Sequence, residues 1–133
     1  MKVTDDLKQF LTYSQKFIGT RLLLTDLEKS IVEVALKGEM NFEQRPITEE
    51  LKNLAIGKDE ILLRDETNAF PLIVNHEYKV NAEMIAAIYY KDKHIGYLVY
   101  HADKGEFEEA HKEYGMTGKT FVEKLIAKHY ESE

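Results

Sequence analysis

The 133-residue sequence predicts an α+β fold: one antiparallel sheet, with the N- and C-terminal helices on one face and a short helix/loop segment on the other. Three observations carry this expectation. Near the start, Leu7, Phe10, Leu11, Phe17 and Ile18 fall at helical spacing and form one apolar stripe. Near the end, Phe107, Ala110, Tyr114, Gly118, Phe121 and Leu125 are separated by 3, 4, 4, 3 and 4 residues, a mean step of 3.6. Between them, residues 82–90 and 95–101 are apolar runs flanking Lys91-Asp92-Lys93-His94, the pattern of a hairpin with a four-residue loop.

Each element has local grounds. Thr4 suits the N-cap of the first helix, its hydroxyl accepting from a free backbone N–H. Asp5 and Asp6 favour the positive end of the helix dipole, and Gly19 supplies a C-terminal stop. The period then changes. Residues 20–25 and 30–36 read as two antiparallel strands joined by a polar turn, ended by Gly38. Residues 39–45 are polar and irregular. Thr48, Glu49 and Glu50 open a second, short helix whose face is Leu51, Leu54 and Ala55 and whose stop is Gly57.

In residues 58–81, Ile61-Leu62-Leu63 and residues 70–74 read as short strands, the latter an edge because Pro71 lacks an N–H. Both phases of residues 82–90 are apolar, which places that strand at the centre with covers on both sides. Gly96 predicts a bulge or a close backbone approach. A last helix is expected over about residues 106–130. Its Gly115 and Gly118, each unfavourable by roughly 1 kcal/mol against alanine, imply close packing on a neighbour.

Composition narrows the class. The chain has 18 Lys+Arg against 24 Asp+Glu, a formal net charge of −6, with 44% apolar and 32% charged residues. That is the profile of a foldable globular chain and not of a disordered one. The acidic balance argues against direct nucleic-acid binding. There is no cysteine, so thiolate chemistry and disulfides are excluded. The first ten residues lack the apolar core of a secretory signal, and the longest apolar stretch falls far short of a membrane span. A single domain over residues 1–133, soluble in the cytoplasm and without membrane association, is the expectation.

Chemistry is sparse. The histidines, at positions 76, 94, 101, 111 and 129, form no His-Glu-x-x-His pair, and His94 and His101 on one strand are over ~20 Å apart. His101, Asp103 and His111 could converge at the strand–helix junction, but nothing in the sequence requires it, and no metal or cofactor is expected. The serines at 14, 30 and 132 lie in no nucleophile elbow, and no dinucleotide or phosphate loop is present. A non-catalytic protein is expected. Tyr89, Tyr90, Tyr97 and Tyr100 cluster on the hairpin, where cross-strand aromatic pairing is the ordinary role. Tyr89 and Tyr97 lie on inward phases and are the better candidates to line a ligand pocket, each an apolar ring with a polar tip. Arg64 and Phe70, from the loop-rich middle, could close it; the plainer role for Arg64 is a solvent-exposed cation.

The hairpin stretch, with Lys91-Asp92-Lys93-His94-Ile95-Gly96-Tyr97-Leu98-Val99, resembles the last hairpin of a GAF domain. The final helix, with Thr117-Gly118 and Phe121-Val122, and the early Leu22-Leu23-Leu24-Thr25-Asp26 are similar to the regulatory domain of the stage V sporulation protein T family. That resemblance implies a stand-alone bacterial sensory domain, engaged in signalling or transcription regulation. It would bind a small molecule or a partner protein and act as a homodimer through its terminal helices. The swapped-hairpin DNA-binding domain of those regulators has no counterpart here. The Asn-Lys-Phe-Asp-Glu signature of cyclic-nucleotide GAF domains and a bilin-attaching cysteine are also missing. The alternative is a PAS-like or roadblock-like dimerising scaffold with no ligand.

Overall fold

A computed structural model describes residues 1–75, 81–102 and 105–131, the side chain of Phe17 excepted. His76, Asp103 and Ser132 therefore lie outside the described residues, as does the contribution of Phe17 to the first stripe.

The chain begins with α1 (Asp5–Ile18). Thr4 caps it, accepting from the Leu7 N–H at 3.4 Å, and Gly19 ends it in the left-handed region at φ 73°. A cap of this kind contributes about 1 kcal/mol. Strands β1 (Arg21–Thr25) and β2 (Ser30–Val34) follow as an antiparallel pair. The Asp26 carboxylate accepts from the N–H groups of Glu28 and Lys29 at 2.7 and 2.8 Å, which fixes the turn between them.

The polar stretch after Gly38, read from sequence as irregular, contributes a two-residue edge strand, β3 (Met40–Asn41), paired with β2. Helix α2 is shorter than the Thr48–Gly57 signals imply. It spans Glu49–Lys52 and ends at Asn53, although Thr48 does cap it. Strand β4 (Ile61–Asp65) pairs with β5 (Ala82–Tyr90), which pairs with β6 (Lys93–Ala102).

The expected strand at residues 70–74 does not form. Only Ile73 bridges, to Ile47. Pro71 and its neighbours instead serve as acceptors and fasteners: Thr48 Oγ1 donates to the Pro71 carbonyl at 2.6 Å, and the Val74 N–H to the Pro46 carbonyl at 2.9 Å.

The six strands form one antiparallel sheet in the order β3-β2-β1-β6-β5-β4. The hairpin between β5 and β6 is tighter than the four-residue loop read from sequence. Lys91 and Asp92 alone make the turn, both at positive φ (49° and 64°), the geometry that matches strand twist. Lys93 and His94 thereby join β6.

The last helix, α3, spans His111–Glu131 and starts later than expected. Phe107 precedes it and still packs against the core, from a turn held by the His111 N–H to Glu108 carbonyl bond at 2.9 Å.

Both faces of the sheet are covered. Leu7 and Leu11 of α1 and Val122 and Ile126 of α3 pack on Leu22, Leu24, Met84, Ile88, Leu98 and Tyr100. On the other face Ile47, Leu51, Ile56, Leu72 and Ile73 cover Leu23, Ile85, Ala87, Tyr97 and Val99. The terminal stripe is rotated relative to its expected orientation. Gly115, Gly118, Val122 and Ile126 face the sheet, whereas Tyr114 and Phe121 are 48% and 45% exposed. Phe121 turns to the seam with α1, where it stacks on Phe10 at 4.5 Å, while Gly115 and Gly118 meet Met84 and Tyr100 of the strands.

The glycines set two close approaches. A Cβ on Gly118 would lie 2.1 Å from the Tyr100 hydroxyl, and one on Gly96 would lie 1.9 Å from the Thr25 carbonyl oxygen. Gly118→Ala is expected to destabilise by about 1–3 kcal/mol. Gly96→Ala should cost more, because backbone cannot step aside as a side chain can. Urea unfolding with an unchanged m-value checks both.

Candidate functional site

The four sequence-derived candidates all belong to the sheet face covered by the middle segment. Arg64 comes from β4, Tyr89 and Tyr97 from the β5–β6 hairpin, and Phe70 from the loop after β4. Phe70 and Tyr89 pack against the same apolar cluster that contains the fully buried Tyr97.

Their polar ends are engaged within the chain. The Tyr97 hydroxyl donates to the Leu54 carbonyl at 3.0 Å and the Tyr89 hydroxyl to the Ile56 carbonyl at 2.9 Å. Both acceptors lie just beyond α2, where the chain has left the helix and its carbonyls need partners. The two tyrosines thus fasten the middle segment to the sheet. His94 lies between them, edge-on to Tyr97 at 4.7 Å and tilted against Tyr89 at 5.4 Å. Burial holds its imidazole below the usual histidine range, against the opposing effect of its 2.8 Å contact with the Gly96 carbonyl. Burial likewise pushes the Tyr97 phenol up, and the neighbouring Tyr89 adds to it.

Arg64 is not a solvent-exposed cation. Its side chain is 3% exposed and pairs with Glu83, whose side chain is 0% exposed. Arg64 Nε and Nη2 both donate to Glu83 Oε2, the former at 3.1 Å. The guanidinium carbon lies 3.7 Å from the centre of the Phe70 ring, and Nη2 reaches the Phe70 carbonyl at 3.4 Å. Phe70 is therefore a roof over the ion pair. Glu83 Oε1 and Arg64 Nη1 are buried without a hydrogen-bond partner among the described residues. The pair lies in a register row that crosses four strands: Arg64, Glu83, His101 and Arg21. Glu83 was not singled out from the sequence. The available signal was a lone carboxylate inside the otherwise apolar residues 82–90.

A second polar group joins the two layers. Strand β4 pairs with β5 only as far as Ala86, leaving the end of β5 with an open edge. There the Tyr89 N–H donates to Glu123 of α3 at 2.7 Å, and the same carboxylate oxygen accepts from Lys119 Nζ at 2.8 Å. The Lys119 side chain is 2% exposed, and its ammonium lies 5.5 Å from the Tyr89 ring centre. Tyr89 is thus bonded to α3 through its backbone and to the middle segment through its hydroxyl.

Two open clefts, of about 460 and 480 Å³, are lined by none of the four candidates. One is beside Asp59, Ile61, Lys112 and Met116, the other beside Thr48, Pro71 and Val74. Among the described residues no group of three or more His, Asp or Glu side chains could hold a metal ion, and no helix is long and apolar enough to cross a membrane.

The architecture has a solved counterpart. A domain assigned to a two-component sensor histidine kinase of Sinorhizobium meliloti 1021 superposes with a TM-score of 0.54, covering 96% of this chain and 93% of that one at 11% identity. At that identity the likeness is one of fold, and activity has to be argued from the site. No protein-family model and no curated protein matches the sequence.

The buried pair makes a stability prediction. Arg64→Met strands a buried carboxylate and should cost about 3–5 kcal/mol, whereas Arg64→Met with Glu83→Leu should recover most of that loss. In the intact protein, burial lifts the Glu83 carboxyl above its ordinary 4.5, and Arg64 pulls in the opposite direction. A folded value raised above the unfolded one gives stability that is complete below pH 4.5 and lost as pH rises through the raised value. Arg64→Met removes the opposing pull, so its deficit should be larger at neutral pH than near pH 4.5. Urea titrations at both pH values check this.

Proposed function

We propose that this chain is a GAF-like sensory or regulatory domain, one that binds a small molecule or partner protein on the middle-segment face and signals through its terminal helices. The observation that carries the reading is the double attachment of Tyr89, to Glu123 of α3 at 2.7 Å and to the Ile56 carbonyl at 2.9 Å. A ligand that displaces the middle segment competes for the Tyr89 hydroxyl and shifts the hairpin edge on which α3 rests. The state so selected is the one with greater ligand affinity, and the helices report it by a shift of population. Arg64, Phe70, Tyr89 and Tyr97 are the ligand-facing residues in this reading. The kinase-domain likeness supports the sensory class by analogy of fold. The acting species is a homodimer joined through the terminal helices, non-catalytic and cytoplasmic, with no direct contact to nucleic acid.

A second reading has its own support. The hydroxyls of Tyr89 and Tyr97 and one edge of Arg64 are already satisfied within the chain, and Tyr97 is fully buried. Those contacts suit a dimerising scaffold that binds no small molecule.

A thermal-shift screen with amino acids, nucleotides and second messengers separates the two. A sensor ligand at 100-fold excess over its Kd should add about 2.7 kcal/mol of stability, and Tyr89→Phe should reduce that gain. Silence across all three classes favours the scaffold.

A further inference from the structure

The two edges of the sheet are finished differently. At one end β3 is two residues long, and the chain itself closes both ends of β2: the Ser30 N–H donates to the Arg45 carbonyl at 2.8 Å and the Ala35 N–H to the Glu39 carbonyl at 2.9 Å. At the other end β4 has no strand beyond it. Asp65 locates its outward side. The Asp65 N–H donates to Asn68 Oδ1 at 2.9 Å and its carbonyl accepts from the Asn68 N–H at 3.3 Å, so its main chain points away from β5. Outward groups alternate along an antiparallel strand, which turns the main chains of Leu63 and Ile61 outward as well. Among the described residues no hydrogen bond reaches these two from outside the sheet. Ile61, Leu62 and Leu63 carry none of the lysine or proline that commonly blunts an edge.

The surroundings of this edge are acidic. The cleft of about 460 Å³ beside it is lined by Asp59, Glu60, Ile61, Lys112, Glu113 and Met116. Nearby cations are engaged elsewhere: Lys112 with Glu109 at 3.0 Å, Lys58 with Asp92 at 2.6 Å, Lys119 with Glu123 at 2.8 Å, and Arg64 with Glu83. Asp59, Glu60 and Glu113 at one end of the edge, and Asp65 and Glu66 at the other, are all exposed and make no ion pair among the described residues. Glu60 and Asp65 accept only from uncharged donors of their own turns.

We propose that the β4 edge takes an extended segment of a partner protein as an added strand, with side chains alternating cationic and apolar. Main-chain bonds to Ile61 and Leu63 supply the pairing. Residues opposite those two lie on the α3 side of the sheet. There a lysine or arginine lays its stem on Ile61 and Met116 and brings its head to Asp59, Glu60 and Glu113. Residues in the other phase lie beside the half-buried Leu62 and are apolar. A second copy of β4 does not fit. Antiparallel pairing centred on Leu63 sets Glu60 opposite Glu66, and pairing centred on Leu62 sets Asp59 opposite Asp65; like charges so placed repel. The edge lies outside the middle-segment site, and its use does not depend on a ligand there.

The test uses the full chain and a short synthetic peptide alternating lysine and valine, followed by fluorescence anisotropy. The peptide should bind, less tightly as salt rises. A glutamate–valine peptide should bind at least roughly tenfold more weakly. The lysine N–H groups face β4 in this arrangement and the valine N–H groups face solvent. Methylation of the lysine main-chain nitrogens should therefore weaken binding roughly tenfold, whereas methylation of the valine nitrogens should be tolerated. The exposed change Glu113→Lys should weaken the lysine peptide several-fold with an unchanged circular dichroism spectrum. In amide exchange, the peptide should protect Ile61 and Leu63. No binding at millimolar peptide, equal binding of the glutamate peptide, indifference to lysine N-methylation, or protection confined to other elements overturns the added strand. Protection of Ile61 and Leu63 that rises with protein concentration in the absence of peptide would place a second copy on the edge and overturn it too.

Discussion

Everything in this fold answers to the two-sided burial of β5 and β6. Met84, Ile88, Leu98 and Tyr100 point one way, and Ile85, Ala87, Tyr97 and Val99 the other, and all are essentially removed from solvent. A hairpin of this kind needs two covers, because each fully exposed side chain would forfeit about 1.5–3 kcal/mol. The chain supplies α1 and α3 for one face. For the other it uses a four-residue helix and two loop segments, which offer far less regular surface and must be fastened individually. That difference explains why polar contacts concentrate on the second face.

The fastenings differ in energetic character. The tyrosine hydroxyls satisfy carbonyls that α2 leaves open, a modest gain of about 1 kcal/mol each. The Arg64–Glu83 pair is another matter. Two charges taken out of water repay their desolvation only with excellent geometry and full hydrogen bonding, and among the described residues one oxygen and one guanidinium nitrogen find no partner. Two apolar side chains of similar volume would hold the edge of the sheet about as well. The pair therefore fits a role in specifying how β4 and the Phe70 loop seat on the sheet better than a role in raising stability. The Lys119–Glu123 contact works at the opposite end of β5, where it closes an edge that β4 does not reach.

Much of the architecture was legible in the amino-acid order because local signals agreed with the global one. Thr4, Gly19 and Thr48 have the capping geometry their chemistry implies, and Gly96, Gly115 and Gly118 mark close approaches. The misreadings have physical causes. The α3 stripe is in phase but divided: Gly118 faces the sheet while Phe121 faces the seam with α1, because periodicity gives a helix face and not the neighbour it meets. The hairpin turn looked long because Lys93 and His94 are polar, although β6 carries them. Residues 70–74 look like a strand in composition, yet Pro71 and the turn at Asn75 leave only one bridge. Arg64, Phe70, Tyr89 and Tyr97 do share a face, but their partners depend on tertiary placement. The carbonyls of Leu54 and Ile56 carry no side-chain signature, and Glu83 becomes conspicuous only once its strand is known to be central.

The central claim is that Tyr89 joins the middle segment to α3. Amide hydrogen exchange of wild type and Tyr89→Phe measures this most directly. The account predicts faster exchange around Leu54–Ile56 in the variant, together with faster exchange in α3 around Glu123, with the rest of the sheet unchanged. Loosening confined to the middle segment, with α3 protected as before, would contradict it.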